Sequence, residues 1–131
     1  MAYNIKTGLW EGFIYKIYND VNNRIYIGQT RTSIKNRWKQ HRIDSYRNEN
    51  SVLYRAIRKY GINKFHIVEI DRCYAETKDK LVNKMNELEI YYIKKYQSLI
   101  DEKGYNIDKG GTTNNFTYKP KLDLRKFSFD F

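Results

Sequence analysis

Two short stretches decide the fold: residues 12–18 read GFIYKIY, and residues 25–30 read IYIGQT. Both are rich in β-branched and aromatic residues, which favour strands, and the NDVNNR between them offers Asn and Asp for a tight turn. The pattern therefore predicts a β-hairpin. An even number of loop residues would put Tyr15 and Tyr26 on one face of it, and an odd number would put them on opposite faces, since side chains alternate along a strand. Taken singly, each tyrosine is more typical of a packed strand aromatic.

The segments after the hairpin alternate between helical and extended patterns. Ser33 suits an N-cap, and Gly61 suits the end of a helix whose apolar residues recur at helical spacing. The sequence predicts helix over 33–46, a second helix ending at Gly61, a third strand over 64–73, a long helix over about 77–96, and a short strand or turn over 104–111. This order indicates a small α+β domain.

The chain changes character after Gly111, where the one proline occurs and apolar residues alternate at 122 and 124 and again at 127, 129 and 131. We expect one domain over 11–111 and, over 112–131, either a tail or a short strand extension. The tail carries four Lys/Arg against two Asp, so we expect it to serve substrate engagement or dimerisation more than catalysis. Monomer and dimer both remain open.

Charge narrows the class of partner. The 131 residues include 25 Lys and Arg against 15 Asp and Glu, a formal charge of +10, which favours a polyanion such as nucleic acid. Residues 31–64 alone hold ten Lys/Arg and two Asp/Glu, whereas residues 69–102 hold six and eight. The basic stretch therefore predicts the nucleic-acid-binding residues, which are Arg31, Lys35, Lys39, Arg42, Arg55, Arg58 and Lys59.

Other classes of protein fit poorly. No apolar run approaches the ~20 residues of a membrane-spanning helix, and the N-terminus lacks the layout of a signal peptide. Cys73 is the single cysteine, so an internal disulfide is excluded, and no Cys/His set has zinc-finger spacing. We expect a soluble, intracellular protein of the cytoplasm or nucleoid, with no membrane partner.

Arg37 and His41 lie four residues apart in the predicted first helix and therefore on one face of it. They flank the apolar stripe of Ile34 and Trp38, so we expect both where core meets solvent. There, Arg37 would hold a phosphate oxygen and His41 would orient water or pass a proton. A solvated basic face is the simpler interpretation of this pair taken alone.

Glu89 is the sharpest single signal. In the long helix an apolar arc of about 140° is formed by Leu81, Val82, Met85, Leu88, Tyr92, Ile93 and Tyr96. Glu89 falls inside this arc, whereas Glu87 projects outside it. A buried carboxylate is unfavourable unless it is paired or binds a cation. Glu89 is therefore the candidate metal ligand, with a buried ion pair to an arginine such as Arg37 as the alternative.

Five motifs together resemble the GIY-YIG nuclease family: GFIY, IYIGQT, RWKQH in the first helix, ELEIYYI in the long helix, and GYN after it. Their order and spacing agree over roughly residues 11–111. One departure is visible, because the first triplet reads Phe13, Ile14, Tyr15, with Gly12 one place upstream. The family's fold is a three-stranded antiparallel sheet flanked by about three helices.

The resemblance implies a role for each matching residue: Tyr15 and Tyr26 in the cleft, Arg37 on the scissile phosphate, His41 beside it, Glu89 on the metal ion and Asn106 as a polar support. It also implies a divalent-metal-dependent endonuclease that hydrolyses DNA, double-stranded in our expectation, with one Mg²⁺ or Mn²⁺ ion per active site. Tyr15, assisted by His41 or a water, would help deprotonate the nucleophile, and Asn106 would hold Glu89 or a metal-bound water. The family includes phage and intron-encoded enzymes, so a phage or mobile-element origin is expected.

Two rival functions exist. A non-catalytic basic nucleic-acid-binding module on the same scaffold needs only the charge and the aromatic residues, but it leaves a buried Glu89 unexplained. An inactive scaffold that acts as a structural or inhibitory partner conflicts with the intact set of six residues.

Overall fold

The computed structural model describes residues 3–47, 51–102 and 104–107. Within them, the elements are β1 (Tyr3–Asn4), β2 (Leu9–Asn19), β3 (Tyr26–Thr30), α1 (Ile34–Ser45), α2 (Val52–Tyr60), β4 (Phe65–Ala75) and α3 (Lys78–Tyr96). A short 3₁₀ turn, Ile62–Lys64, joins α2 to β4. The predicted hairpin, third strand and three helices are all present, and the α+β class is confirmed.

The sheet is antiparallel and β2 is its central strand, pairing with β1, β3 and β4. Trp10 pairs with Tyr3 on one side and with Ala75 on the other. Thus β4 runs along one edge of β2, while β1 and β3 follow one another along the opposite edge. The sheet has four strands where three were predicted. The extra strand is β1, whose two residues are too few to show a periodic pattern.

A bulge in β4 lies beside Tyr15. Ile14 pairs with Asp71 and Tyr15 pairs with Glu69, which leaves Ile70 as the extra residue. Such a bulge bends and twists the strand locally, and bulges are common beside active sites. The sheet is therefore distorted at the point where the first cleft tyrosine stands.

Helices cover both faces of the sheet. On one face Tyr15 and Ile17 pack in a core with residues of α2, including Leu53 and Ile57. On the other face Ile14 and Ile27 pack against α3 in a core with Ile93. The sheet is thus a middle layer between α1 and α2 on one side and α3 on the other. Burial of each aliphatic side chain in these two cores contributes about 1.5–3 kcal/mol to stability.

Local hydrogen bonds and backbone conformation define the ends of these elements as predicted. The Asn19 carboxamide oxygen accepts from the N–H groups of Val21 and Asn22, which closes the hairpin turn. Ser33 caps α1 by accepting from the N–H of Asn36. Gly61 follows α2 with φ 95°, a conformation that favours glycine.

The segment after α3 returns to the free edge of β3. Gln97 takes a left-handed conformation, with φ 53°, and turns the chain. Gly104 then forms an isolated parallel bridge with Ile25, and the N–H of Tyr105 donates to the carbonyl of Ile25. The predicted short strand or turn is therefore present over residues 104–107. Its remainder and the expected tail over 112–131 lie outside the described residues.

The displaced first glycine has a packing role. Gly12 lies on the α3 side of β2, where a Cβ would overlap the side chain of Met85. The shift of the glycine to position 12 therefore leaves Tyr15 in place and provides room for Met85 of α3. In the part of the chain that the structure describes, no helix has the length and apolar character needed to cross a bilayer.

Candidate functional site

Tyr15 and Tyr26 share one face of the hairpin, which is the arrangement that an even loop gives. Tyr26 pairs with Ile17, which is two positions from Tyr15 along β2, so the two tyrosine side chains point to the same face of the sheet. Their ring centroids are 6.4 Å apart. The two phenols therefore stand side by side on the α1 side of the sheet.

Gly28 provides the space that Tyr15 occupies. A Cβ at Gly28 would overlap Cζ and the hydroxyl of Tyr15. The ring therefore lies across the glycine and carries its hydroxyl toward α1. No larger residue at position 28 is compatible with this path.

Arg37 and His41 of α1 both bind that hydroxyl. Arg37 Nε donates to the Tyr15 oxygen at 3.3 Å, and His41 Nε2 lies 2.7 Å from it. The structure corrects the expected depth of His41, because this residue is 1% exposed and not at the boundary of core and solvent. Arg37 is only partly buried and does lie at that boundary. Helix α2 is the reason for the difference, since its Tyr54 packs against the His41 ring with centroids 5.8 Å apart.

His41 is bonded at both ring nitrogens, as its Nδ1 lies 2.8 Å from the hydroxyl of Tyr54. Burial, reinforced by the positive charge of Arg37, lowers the pKa of His41 to about 3. The imidazole is therefore neutral at physiological pH, with one nitrogen as donor and the other as acceptor.

This buried neutral histidine predicts acid sensitivity. Between the unfolded pKa of about 6.5 and the folded pKa of about 3, the unfolded chain binds a proton that the folded chain does not. The contribution to stability is complete above pH 6.5 and is lost as pH falls. From pH 7 to pH 5, wild type should lose about 2 kcal/mol more unfolding free energy than His41→Gln in denaturant titrations. His66→Gln, which keeps His41, is the control; identical losses in wild type and His41→Gln would contradict this.

Opposite charges act on the two phenols. Burial raises the pKa of Tyr15, the charge of Arg37 lowers it, and the charge of Glu89 raises it again. Burial likewise raises the pKa of Tyr26, and the Tyr15 and Glu89 charges add to this effect. Both phenols are therefore neutral at physiological pH, and Glu89 is close enough to influence both of them electrostatically.

Glu89 is buried in the sheet-facing line of α3, as its position in the apolar arc predicts. The buried residues of this helix recur every four positions and are Leu81, Met85, Glu89 and Ile93. The Glu89 side of the site also includes Gln29 of β3, whose Nε2 donates to Glu89 Oε1 at 3.2 Å and to Asn86 Oδ1 at 2.9 Å. Glu89 is 6% exposed, so a carboxylate with an adjacent amide is held within the fold.

The donors near Glu89 suit a hard cation. Carboxylate and carboxamide oxygens are ligands that Mg²⁺ prefers, and this ion usually retains several waters. Among residues 3–47, 51–102 and 104–107, no group of three or more His, Cys, Asp or Glu is arranged to hold a metal. The Glu89 carboxylate and the carboxamides of Gln29 and Asn86 beside it contain the kind of oxygen donor that such an ion binds.

Asn106 supports the strand that carries the cleft. Its Oδ1 accepts from the N–H of Ile27 at 2.8 Å, and its Nδ2 donates to the carbonyl of Ile27 at 2.9 Å. The hydroxyl of Ser98 donates to the same Oδ1 at 2.7 Å. In this structure the amide thus holds the backbone next to Gly28, whereas the expected support of Glu89 or of a metal-bound water stays a prediction.

The predicted basic residues are mostly on the surface. Six of the seven are exposed, Arg55 being partly buried. Arg58 has a structural contact, because its Nη1 donates to the carbonyl of Ser45 at the end of α1 at 2.8 Å. Lys35, Lys39 and Arg42, all exposed on α1, are therefore cleaner probes of an electrostatic surface than Arg58.

Two residues that contact the site were missed in the sequence. Gln29 belongs to IYIGQT and, by strand alternation, faces away from Tyr26 and toward α3. The sequence alone predicts which face of the strand Gln29 occupies. It does not predict that Glu89 lies opposite this residue. Tyr54 lies next to the helical stripe that predicted α2, and its contact with His41 depends on how α1 and α2 pack.

Comparison with known proteins gives concordant matches. The family model described as the GIY-YIG catalytic domain matches residues 11–106. The catalytic domain of homing endonuclease I-TevI aligns at a TM-score of 0.57 and 30% identity, over 74% of this chain and 98% of that domain. A variant of the catalytic domain of intron endonuclease I-TevI aligns at a TM-score of 0.59 and 30% identity, over 76% and 96%.

A curated relative comes from a virus. The uncharacterised protein 019R of Invertebrate iridescent virus 6 is 30% identical over 111 residues, which are 85% of this chain and 38% of that protein. The chain therefore spans less than two fifths of the length of this relative.

Proposed function

The chain belongs to the GIY-YIG family of nuclease domains, and on that premise we propose that it is an endonuclease that hydrolyses DNA phosphodiester bonds with one divalent metal ion. One observation carries the proposal: the carboxylate of Glu89 is 6% exposed, lies in the buried, sheet-facing line of α3 and accepts a hydrogen bond from Gln29 Nε2. A module that only binds nucleic acid has no use for this arrangement of buried polar groups.

Glu89 is the residue that would hold the ion, and Gln29 would orient its carboxylate. A bound Mg²⁺ or Mn²⁺ would supply Lewis-acid stabilisation of the negative charge that grows on the phosphate. This assignment uses the single carboxylate of Glu89, and waters and substrate oxygens would fill the other positions around the ion.

Arg37 is assigned to the scissile phosphate. Its Nε is engaged by Tyr15, and the residue is partly exposed, so the other guanidinium nitrogens are directed to a substrate oxygen in our proposal. A planar guanidinium binds phosphate oxygens well and stays charged throughout the reaction. It would offset the charge that develops as water attacks phosphorus.

Tyr15 is assigned to the attacking water. Burial raises the pKa of Tyr15, so the phenol stays protonated at physiological pH and can take a proton from water only while its own proton leaves. His41 Nε2 lies 2.7 Å from the hydroxyl and is the group placed to receive that proton. Its pKa of about 3 would have to rise for this, and the negative charge of a phosphate bound in the cleft would raise it. Tyr26, whose ring centroid is 5.9 Å from that of His41, would close the cleft over this relay.

The proposal is tested by incubating supercoiled plasmid with the protein in Mg²⁺, beside EDTA and a Glu89→Ala variant. Nicked or linear product should form only with wild type and Mg²⁺. Binding of plasmid without any cleavage would favour the non-catalytic module. Equal cleavage in EDTA would show that the reaction does not need a metal ion.

DNA affinity is assigned mainly to the basic surface of α1, and this predicts a change in salt dependence. Reversing Lys35, Lys39 and Arg42 to Glu should flatten the slope of log K against log salt by about one unit for each lost phosphate contact. Fluorescence anisotropy with a labelled duplex measures the slope. Lys78→Glu with Lys80→Glu, on exposed positions of α3, is the control. An unchanged slope in the α1 variant would place the contact surface elsewhere.

The proposed biological setting is a viral or mobile genetic element. It rests on the relative from Invertebrate iridescent virus 6 and on the likeness to a homing endonuclease domain.

A further inference from the structure

The histidine of the relay is held between two phenols. His41 Nε2 lies 2.7 Å from the hydroxyl of Tyr15, and Nδ1 lies 2.8 Å from the hydroxyl of Tyr54. Tyr54 is 9% exposed and His41 is 1% exposed, so both contacts are shielded from water. A neutral imidazole carries one N–H and one lone pair, and the two contacts must therefore run in opposite directions.

The hydrogen-bond partners of Tyr15 determine which direction holds. Its oxygen already accepts from Arg37 Nε at 3.3 Å. Within the described ranges, His41 Nε2 is the one acceptor that the structure places within reach of the Tyr15 proton. If Nε2 carried a hydrogen, it could not accept the proton of the Tyr15 hydroxyl. That hydroxyl proton would then be buried without an acceptor, which is strongly unfavourable. The Tyr15 hydroxyl therefore donates to Nε2, and the hydrogen of His41 is on Nδ1.

From this geometry we propose that Tyr54 is a positioning residue: its oxygen accepts the Nδ1–H of His41 and so keeps Nε2 free to receive the proton of Tyr15. Tyr54 acts through His41 and does not touch the substrate. The inference rests on the proposed function only for its catalytic consequence, because the tautomer is a property of the free protein.

The proton transfer balances. As the oxygen of the attacking water bonds to phosphorus, the bond from phosphorus to the leaving sugar oxygen breaks, and that oxygen departs and takes a proton from solvent. The proton of the attacking water passes to the Tyr15 oxygen, and the Tyr15 proton passes to Nε2. His41 then carries hydrogen on both nitrogens, with the Nδ1–H still held by the Tyr54 oxygen. The phenol ends as it began, and Tyr54 orients the imidazole throughout.

Nitrogen NMR of ¹⁵N-histidine-labelled protein tests the tautomer without DNA or metal. The chain has two histidines, so removing His66 assigns the His41 signals. In wild type we expect Nδ1 to be protonated and Nε2 to be unprotonated. A wild-type His41 protonated at Nε2 would overturn the proposal, and this outcome requires no variant to fold.

Tyr54→Phe removes the hydroxyl and keeps the ring. We expect the Nδ1–H tautomer to give way to a mixture, and kcat for plasmid cleavage to fall about 10–100-fold with KM within twofold. Tyr60→Phe, on the same helix, is the control and should change neither readout. An unchanged tautomer and kcat in Tyr54→Phe would overturn the proposal. The predicted tautomer in a protein that cuts no DNA would instead contradict the proposed function alone.

Discussion

Replacing Glu89 by Gln should lower the rate of DNA cleavage by at least about 1,000-fold while leaving DNA affinity within about twofold. The amide keeps the shape and much of the hydrogen bonding of the carboxylate but removes the negative charge that would hold the metal ion. Glu89 lies in the sheet-facing line of α3 and away from the basic surface of α1, so binding should persist. Single-turnover cleavage at saturating protein measures the rate, and anisotropy measures the affinity.

Glu87→Gln is the matched control for this variant. Glu87 lies two residues away on the same helix and is exposed, so its replacement changes the net charge equally without touching the cleft. It should cleave at the wild-type rate. Because removing a costly buried charge also relieves desolvation, Glu89→Gln should unfold at a temperature equal to or above that of wild type. Wild-type turnover by Glu89→Gln would remove the residue from the active site.

Gly28→Ala should reduce cleavage by at least about 100-fold, because the added Cβ overlaps Cζ and the hydroxyl of Tyr15. The ring must move, and its bonds to Arg37 and His41 are then lost together. Overpacking of this kind also destabilises the fold by about 1–3 kcal/mol. Cleavage should be measured well below the melting temperature, so that loss of activity is not loss of folded protein.

Gly61→Ala separates stability from activity in that experiment. Gly61 has φ 95°, so alanine is strained there, yet nothing lies within 4 Å of its added Cβ. This variant should be destabilised while its folded fraction cleaves at the wild-type rate. A Gly28→Ala protein that retains full activity would mean that the position of the Tyr15 hydroxyl matters little to the reaction.

The features that follow periodicity could be predicted from the sequence. The apolar arc of α3 placed Glu89 inside the fold, because it depends on geometry within one helix. Strand alternation tied the faces of Tyr15 and Tyr26 to the number of loop residues, and the structure then showed that this number is even. Ser33 and Gly61 marked helix ends by local hydrogen bonding and backbone conformation. For these positions the local chemistry and the tertiary structure agree.

The features that depend on packing between elements could not be predicted in this way. His41 is buried because α2 brings Tyr54 to its ring, and nothing in the α1 sequence reports the position of α2. Gln29 meets Glu89 only because α3 crosses beneath β3, and Asn106 binds Ile27 because the segment after α3 returns to the sheet edge. The contact of Asn106 with the Ile27 backbone was not predicted, and its expected support of Glu89 or of a metal-bound water stays a prediction.

Counting bound metal ions tests whether Glu89 anchors the ion of a phosphodiesterase site. Tyr15→Phe should prevent turnover without altering the ligand, so its complex with duplex DNA provides a stable background. Mn²⁺ titrations followed by electron paramagnetic resonance should show about one more tightly bound ion per protein in Tyr15→Phe than in Tyr15→Phe with Glu89→Gln. Equal binding of Mn²⁺ by the two complexes would show that Glu89 does not hold the ion.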